Sequence, residues 1–360
     1  MMTSAAAGPP VSGTLAPLPD CDRIIAPYLD AALAALDGPA PLLAGMARYH
    51  LGLVDAALEP LPPGGADRGK RIRPAVALLA AGAVGGDPAT AAPLGAALEL
   101  LHNFTLVHDD VQDESPTRRH RATVWRLWGI GQAINAGDAL FAVAHLPLHH
   151  LVEVGADPRL TLRLLDAFDR MTVAIVQGQT LDLGFEGRSD VAPDDYLRTI
   201  EGKTAAIVRY AAWAGALLGG ADEQRAERFA AFGLALGIGF QIRDDALGIW
   251  GAPEETGKAP ADDIRRRKQS LPILLLRQRL DDAGRAELDA LYAAPVVDAT
   301  GVARVLELLD AAGVRHAIAA QVADHHDRAR ADLDAAAVPG PNPARDRLRA
   351  LVDRLADRAG

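Results

Sequence analysis

Three aspartates near position 110, followed closely by arginines, are the first residues in the sequence whose types and spacing could do chemistry. Residues i and i+4 share one face of an α-helix, so the carboxylates of Asp109 and Asp113 should point the same way. Such a pair repels itself unless a cation lies between the two groups. Hard oxygen ligands suit Mg²⁺, which fills its remaining sites with water and phosphate oxygens. The downstream Arg118, Arg119 and Arg121 suit diphosphate oxygens, which guanidinium groups bind in a bidentate way, and we therefore predict a Mg²⁺-diphosphate site.

A solvated acidic helix face is the alternative explanation of these aspartates. The preceding turn is apolar and contains Phe104, Leu106 and Val107. The carboxylates are therefore expected at the mouth of a buried region, which weakens the alternative.

A second acidic helix lies much later in the chain. Asp222 is a candidate N-cap for it, and Gln241, Asp244 and Asp245 occupy positions i, i+3 and i+4 on an otherwise apolar helix. Gly248 stands where a third carboxylate would complete the DDxxD spacing.

Basic and polar motifs lie before the first acidic helix and between the two acidic helices. Gly69 to Pro74 (GKRIRP) places three cations where a loop enters a helix, which favours an anion site, although a basic surface turn is the alternative. Gly202 beside Lys203 in mid-helix indicates close approach of another group. The polar run Gln177 to Asp182 either lines a cavity or makes hydrogen bonds between helices.

The composition indicates a helical protein with a large core. Of 360 residues, 49% are hydrophobic and only 4% aromatic, while Ala and Leu dominate, which favours helix. With 37 basic and 47 acidic residues the formal charge is −10, which argues against nucleic-acid binding and requires a local basic cluster for any anionic substrate. A lone Cys21 and the absence of a long apolar run predict a cytoplasmic protein without stable membrane insertion.

The overall pattern predicts an all-α protein. Residues 1–20 are expected to be a disordered N-terminal extension and residues 21–360 a single all-α domain, with no strand pattern. The pairs His149-His150 and His325-His326 are predicted to be surface residues, because adjacent helical side chains point about 100° apart and do not chelate well.

Five motifs in a fixed order resemble the trans-isoprenyl diphosphate synthases of the polyprenyl synthetase family. They are GKRIRP at 69–74, His102 with DDVQDESPTRRHR at 109–121, QGQTLDL at 177–183, GKT at 202–204, and GFQIRDD at 239–245 with GK at 257–258. The resemblance implies an isoprenoid-synthase-type helical bundle around a central apolar cavity. It also implies a homodimer and the condensation of isopentenyl diphosphate with an allylic diphosphate.

The resemblance assigns roles to individual residues. It implies a catalytic set of Asp109, Asp110, Asp113, Asp244, Asp245 and Lys203, in which Asp109, Asp113 and Asp244 ligate three Mg²⁺ ions. The allylic diphosphate would be bound by Arg118, Lys203, Thr204, Gln241, Lys258 and Lys268. Isopentenyl diphosphate would be bound by Lys70, Arg71, Arg73, His102 and Arg119, with the role of Arg71 less clear.

Two positions depart from the family pattern. Gly248 removes one outer carboxylate, and we expect metal binding to survive because Asp244 and Asp245 remain. His120 stands where the family commonly has Gly, and it is either a solvated loop residue or a titratable group near the phosphates.

The product length and the rival functions also follow from the resemblance. Phe104, five residues before Asp109, lies about 7.5 Å along the helix axis and is a candidate floor of the product pocket. A small Thr105 and no insertion between Asp110 and Asp113 favour the C20 geranylgeranyl product over C15 farnesyl diphosphate. A class I terpene cyclase should not need GKRIRP, and a non-catalytic partner subunit should have lost the first aspartates, so both are less favoured.

Overall fold

The computed structural model describes residues 19–62, 64–185, 187–252, 260–294 and 296–357. The prediction of a disordered N-terminus falls largely on residues 1–18, which lie outside the described residues. The first helix already begins at Pro19.

The described chain is almost entirely helical, which confirms the predicted all-α class. The helices in order are α1 (Pro19–Ala34), α2 (Pro41–His50), α3 (Ile72–Ala83), a 3₁₀ turn (Pro88–Ala91), α4 (Ala92–Gln112), α5 (Val124–Trp128), α6 (Ile130–Ala144), α7 (Leu146–His149), α8 (Pro158–Gly184) and α9 (Pro193–Ile200). A π-helical turn (Glu201–Ala205) then leads into α10 (Ala206–Leu218), α11 (Glu223–Trp250), α12 (Asp262–Arg265), α13 (Leu271–Arg279), α14 (Asp282–Ala293), α15 (Ala299–Ala311), α16 (Val314–Ala336) and α17 (Pro343–Asp357).

Helix α11 connects the two main parts of the core. Its first half contributes Phe229 and Phe232 to a large apolar cluster that it shares with α2 to α8 and α10. Its second half contributes Ile242 and Ile249 to a smaller cluster with α9 and α12 to α16. The predicted cap is confirmed, since the Asp222 carboxylate accepts a hydrogen bond from the backbone N–H of Arg225. The second acidic segment is therefore held on a rigid element packed mainly against α10 and α16.

Helix α4 carries the first acidic segment and is buried on all sides over its first ten residues. It ends at Gln112, so Asp113 is the C-cap residue and lies just past the last helical turn. The backbone N–H of Asp113 still donates to the carbonyl of Asp109 at 2.8 Å. The i, i+4 relation predicted for the two aspartates is therefore preserved.

The expectation of no strands is wrong at one place. Thr117–Arg118 and Arg121–Ala122 form a two-stranded antiparallel ribbon directly after the first aspartates. Its turn residues, Arg119 and His120, adopt left-handed φ values of 50° and 60°. Strands of two residues are too short to show the alternating pattern that reveals a strand in a sequence.

The expectation that all four paired histidines are surface residues is wrong for His326. This side chain is fully buried against α11, where a Cβ on Gly239 would lie 3.2 Å from its ring. Burial, followed by nearby Arg330 and Arg243, lowers the pKa of His326 to about 4, so the ring is neutral at pH 7. Among the described helices, none is long and apolar enough to cross a membrane.

Candidate active site

The first aspartates lie at the open end of α4. Asp109 is half-buried, and its burial raises the pKa of the carboxyl to about 6. Lys203 opposes this effect, while Asp113 adds to it. Because both Asp113 and Lys203 act on the pKa of Asp109, their charges lie near it. The open end of α4 therefore brings two carboxylates and one cation together.

Asp110 has a different environment from its neighbour. Its side chain is buried, and one carboxylate oxygen accepts a hydrogen bond of 2.7 Å from Nε of Arg118. Burial raises the pKa of Asp110 to about 6 even though Arg118 opposes the shift. Asp110 on α4 therefore orients Arg118, which lies on the first strand of the ribbon.

Lys203 lies on the π-helical turn, where the backbones of two helices meet. Nζ of Lys203 pairs with the Asp182 carboxylate at 2.6 Å. Burial alone would lower the pKa of Lys203, but Asp182 and Asp109 outweigh it and raise the pKa. A Cβ on Gly202 would lie 2.8 Å from the carbonyl oxygen of Ala174 on α8. The predicted close approach is confirmed, and the approaching group is the backbone of α8.

The polar run on α8 makes a hydrogen bond between helices, which is one of the two explanations that the sequence left open. Nε2 of Gln179 donates to Oε1 of Gln112 at 2.8 Å, which is a hydrogen bond between helices. Asp182, in contrast, contacts Lys203 in the neighbourhood of Asp109. The run therefore ties α8 to α4 and also supplies a charge to the site.

A chain of hydrogen bonds links the π-helical turn to α11. The Thr204 hydroxyl donates to Oε1 of Gln241 at 2.9 Å, and Nε2 of Gln241 donates to Asp245 at 3.2 Å. The Tyr196 hydroxyl donates to the other Asp245 oxygen at 2.6 Å. Asp245 is buried, whereas Asp244 is exposed. Of the two adjacent aspartates, Asp244 is thus the one available to an incoming ligand.

The burial of Asp245 should make stability depend on pH. Its burial raises the pKa to about 7 although Tyr196 and Gln241 oppose the shift. Below that value the folded protein retains a proton that the unfolded chain releases near pH 4. The free energy of unfolding should therefore fall as pH rises toward 7, by up to about 1.4 kcal/mol per pH unit.

The Asp245→Asn variant isolates this contribution. Urea unfolding of both proteins at about pH 5, 6, 7 and 8 should show the wild type losing stability relative to the variant up to pH 7, then no further relative change. A constant difference across this range would contradict the assignment.

A basic cluster forms where the GKRIRP loop meets the ribbon. A Cβ on Gly69 would lie 2.7 Å from Nη2 of Arg119, so the loop and the ribbon are in contact. Burial lowers the pKa of Arg73, Glu99 opposes this change and Arg119 adds to it. The net result is a pKa of about 10. Burial and then Arg73, Arg119 and Arg118 lower the pKa of His102 far below its usual value. The cluster therefore holds guanidinium groups beside a neutral imidazole, which is suitable for binding an anion.

Arg71 is the member of this motif that already has carboxylate partners. It is buried, its Nη1 contacts Glu99, and its Nε lies 3.1 Å from Asp22 of α1. These contacts join α1, α3 and α4 behind the cluster.

Sequence reasoning missed several residues of the site. His50 of α2 lies beside Arg118, Arg119 and Arg121, and burial followed by these cations lowers its pKa to about 3. Tyr196 and Glu99 were also missed. No local spacing connects these residues to the motifs that they contact, so the sequence offers no signal for them.

The remaining predicted ligands are placed as follows. Lys258 lies outside the described residues, and Lys268 is exposed, with its Nζ 3.7 Å from Asp263. Within the described parts of the chain, no three His, Cys, Asp or Glu side chains are grouped so that they could hold one metal ion. A magnesium ion that takes one or two carboxylates and completes its shell with phosphate and water is compatible with this arrangement.

Comparisons with known proteins show the family and the fold of this chain. The polyprenyl synthetase family model matches residues 63–309. The (2E,6E)-farnesyl diphosphate synthase of Mycobacterium tuberculosis is 39% identical over 333 residues, or 86% of this chain and 88% of that protein. The geranylgeranyl diphosphate synthase of the same organism is 42% identical over 308 residues, or 84% and 83%. A solved polyprenyl synthetase from Streptomyces coelicolor superposes with a TM-score of 0.83 at 36% identity and covers 94% of this chain and 98% of that one.

The helical fold and its two groups of charged residues define an all-α prenyltransferase. The chain belongs to the polyprenyl synthetase family, and it is a short-chain trans-prenyl diphosphate synthase. Family membership favours this activity over the terpene cyclase considered above. Because similar relatives include both farnesyl and geranylgeranyl diphosphate synthases, the likeness alone does not define product length.

Proposed function

We propose that the enzyme condenses isopentenyl diphosphate head-to-tail with an allylic diphosphate, in a Mg²⁺-dependent reaction, and releases an all-trans C20 prenyl diphosphate. The observation that carries this proposal is the presence of two cationic regions that adjoin at Arg118. One region contains Lys203 beside Asp109, and the other contains Arg73 and Arg119 beside His102. Two diphosphate substrates require two such regions.

The acidic residues fit Mg²⁺. They present only oxygen ligands. Burial is the main cause of the raised pKa of Asp109, and Asp113 adds to it, so a divalent cation beside the two carboxylates would stabilise both. Asp109, Asp113 and the exposed Asp244 would hold the ions, and the resemblance to the family implies three of them. Bound Mg²⁺ would neutralise the charge that develops on the leaving diphosphate.

The protein's own cations would act on the same leaving group. Lys203 and Arg118 would bind the allylic diphosphate, and the Thr204–Gln241 hydrogen bond would orient both polar side chains toward it. Lys258 and Lys268 are proposed as further contacts. The proton lost after carbon–carbon bond formation would pass to the departing diphosphate, so no side-chain base is assigned.

The second substrate would bind at the basic cluster. Arg73 and Arg119 would contact the isopentenyl diphosphate together with Lys70, while neutral His102 would donate one hydrogen bond. Arg71 would shape this site from behind through its contact with Glu99.

The C20 proposal depends on Phe104. Its ring is half-buried and lies 5.2 Å from the ring of Phe141 on α6 and 4.9 Å from His108, centroid to centroid. Thr105 is beside it, and its hydroxyl is turned back to donate to the His102 carbonyl at 2.8 Å. Neither sequence neighbour of Phe104 is aromatic, so α4 would present one large ring at this level and leave more depth below Asp109 than two consecutive aromatic residues would.

The Phe104→Ala variant should make products longer than those of the wild type, because the floor of the pocket is removed. Product lengths from the two enzymes would be compared by mass spectrometry under identical substrate ratios. Phe229→Leu, a change within the core away from α4, is the control and should keep the wild-type distribution. An unchanged distribution for Phe104→Ala would remove Phe104 from the floor.

We also propose a homodimer. Of the large apolar side chains exposed in the described residues, all except Val296 lie between Leu127 and Leu181, on or between α5 and α8. Helices α5 to α8 each pack against the next, and a concentration of exposed apolar side chains on neighbouring helices is typical of a protein interface. Ile134→Glu should halve the mass measured by light scattering, whereas Val296→Glu should not. A monomeric wild type would contradict the proposal.

The activity itself is tested by incubating the purified protein with Mg²⁺, isopentenyl diphosphate and each of the C5, C10 and C15 allylic diphosphates. We expect C20 diphosphate as the main product and no turnover in EDTA. A product that stops at C15 would replace the C20 proposal with farnesyl diphosphate synthesis. Cyclised hydrocarbon, or no turnover, would overturn the proposal as a whole.

A further inference from the structure

Gly248, the departure from the second aspartate motif, lies in contact with a carboxylate from another element. A Cβ built on Gly248 would be 2.5 Å from Cγ of Asp263 and closer still to one of its oxygens. Asp263 belongs to α12, and its side chain is only 6% exposed. No side chain fits at position 248 unless the Asp263 carboxylate moves.

Asp263 also contacts the residue that is expected to reach the allylic diphosphate. The backbone N–H of Lys268 donates to the Asp263 carbonyl at 2.9 Å, and Nζ of Lys268 lies 3.7 Å from the Asp263 carboxylate. Between them, Nη1 of Arg267 donates to the Ala294 carbonyl at 2.9 Å. The turn that carries Lys268 is thus fixed from both sides.

We propose that Asp263 is a positioning residue that occupies the space of the missing third carboxylate, and that Gly248 is the residue that admits it. From this place Asp263 holds the turn of residues 263–268 against α11 and directs Lys268 toward the allylic diphosphate. The proposal deepens the prenyl-transfer function above and depends on it for the identity of the ligand.

The surroundings of Asp263 support this role. Its charge contributes to the raised pKa of Asp245, so the two carboxyl groups lie close together in the interior. Asp245 is held by Tyr196 and by the backbone N–H of Leu271, which lies 3.4 Å from its carboxylate at the start of α13. A carboxylate in this interior needs a cation to offset its charge, and Lys268 supplies one.

Three variants test the proposal through kinetics. Asp263→Ala should raise the KM for the allylic diphosphate about tenfold and leave the KM for isopentenyl diphosphate unchanged, as expected for one misplaced charged contact. Gly248→Asp alone should do the same, because its carboxylate displaces Asp263. The double variant Gly248→Asp/Asp263→Ala should recover most of the lost affinity, because one carboxylate again fills the space.

Matched controls separate this effect from general damage. Asp262→Asn removes the neighbouring charge, and Gly184→Ala adds a Cβ to a helix position where nothing lies within 4 Å. Both should behave as wild type. Lys268→Met combined with Asp263→Ala should be no worse than Lys268→Met alone, because Asp263 acts through Lys268.

A second readout does not depend on turnover. Arg265, Arg266, Arg267 and Lys268 are potential trypsin sites, and limited proteolysis followed by mass spectrometry measures how firmly their turn is held. Asp263→Ala should be cut there at least about fivefold faster than wild type, because opening of the turn becomes easier. Inorganic pyrophosphate with Mg²⁺ should slow the cut in wild type more than in the variant.

The outcomes distinguish the two proposals. If the wild type makes no prenyl diphosphate, the proposed function fails, while the proteolysis results still decide whether Asp263 holds the turn. Wild-type behaviour of Asp263→Ala in both readouts overturns the positioning role. A double variant that is no better than its single variants overturns the claim that the two positions share one space.

Discussion

The Asp109→Ala variant is expected to lower kcat by about 10³-fold or more, because charge on the leaving diphosphate loses its principal stabilisation. Asp109 is the carboxylate of α4 whose electrostatic neighbours include both Asp113 and Lys203. Its loss should remove a proposed metal ligand and also one of the three carboxylates, with Asp182 and Asp113, that act on Lys203.

The measurement is steady-state turnover at saturating substrates with a Mg²⁺ titration. Raising the Mg²⁺ concentration should not restore the rate. Asp166→Ala is the matched control, because Asp166 is an exposed helical aspartate whose partner is Arg170 on the same surface. A loss of less than tenfold in the Asp109 variant would exclude Asp109 from the catalytic set.

Arg73→Ala should separate the two substrate sites. Its KM for isopentenyl diphosphate should rise about 100-fold, as expected for a charge-assisted contact in a partly desolvated site, while the KM for the allylic substrate should change little. The lowered pKa of Arg73, about 10, still leaves the guanidinium charged at pH 7, so wild-type binding should not weaken between about pH 7 and 9 through this group.

His102→Ala should raise the KM for isopentenyl diphosphate by a smaller factor. This factor should not depend on pH above pH 7, because burial and the neighbouring arginines lower the pKa of His102 well below its usual value and the ring stays neutral. Arg347→Ala, an exposed arginine on α17, is the control for removal of a surface charge. Equal increases in both KM values for Arg73→Ala would show that the basic cluster does not discriminate between the substrates.

Several features of the protein were determined by sequence over short distances. The i, i+4 spacing of Asp109 and Asp113, the cap at Asp222 and the glycine beside Lys203 are all local, and the structure retains them. These features depend on helix geometry and on backbone freedom, which a few consecutive residues define. The ordered motifs also predicted the family, and the comparisons confirm it.

Other features were decided only by tertiary packing. The resemblance named Asp244 and not Asp245 as the metal ligand, but no local pattern explains this difference. In the fold, Tyr196 and the start of α13 hold Asp245 inside and leave Asp244 exposed. His326 was predicted at the surface because two adjacent histidines on a helix make a poor chelate, yet α16 packs the His326 side chain against α11.

The same distinction applies to Gly248. In the sequence, Gly248 marks the place of a missing carboxylate. In the fold, the Asp263 side chain of α12 occupies the space where a side chain at position 248 would lie. Burial and charge pairing between distant segments depend on how helices pack, and no local pattern encodes that packing. The sequence therefore determined which chemistry the site performs, and the tertiary structure decided which side chains are free to take part in it.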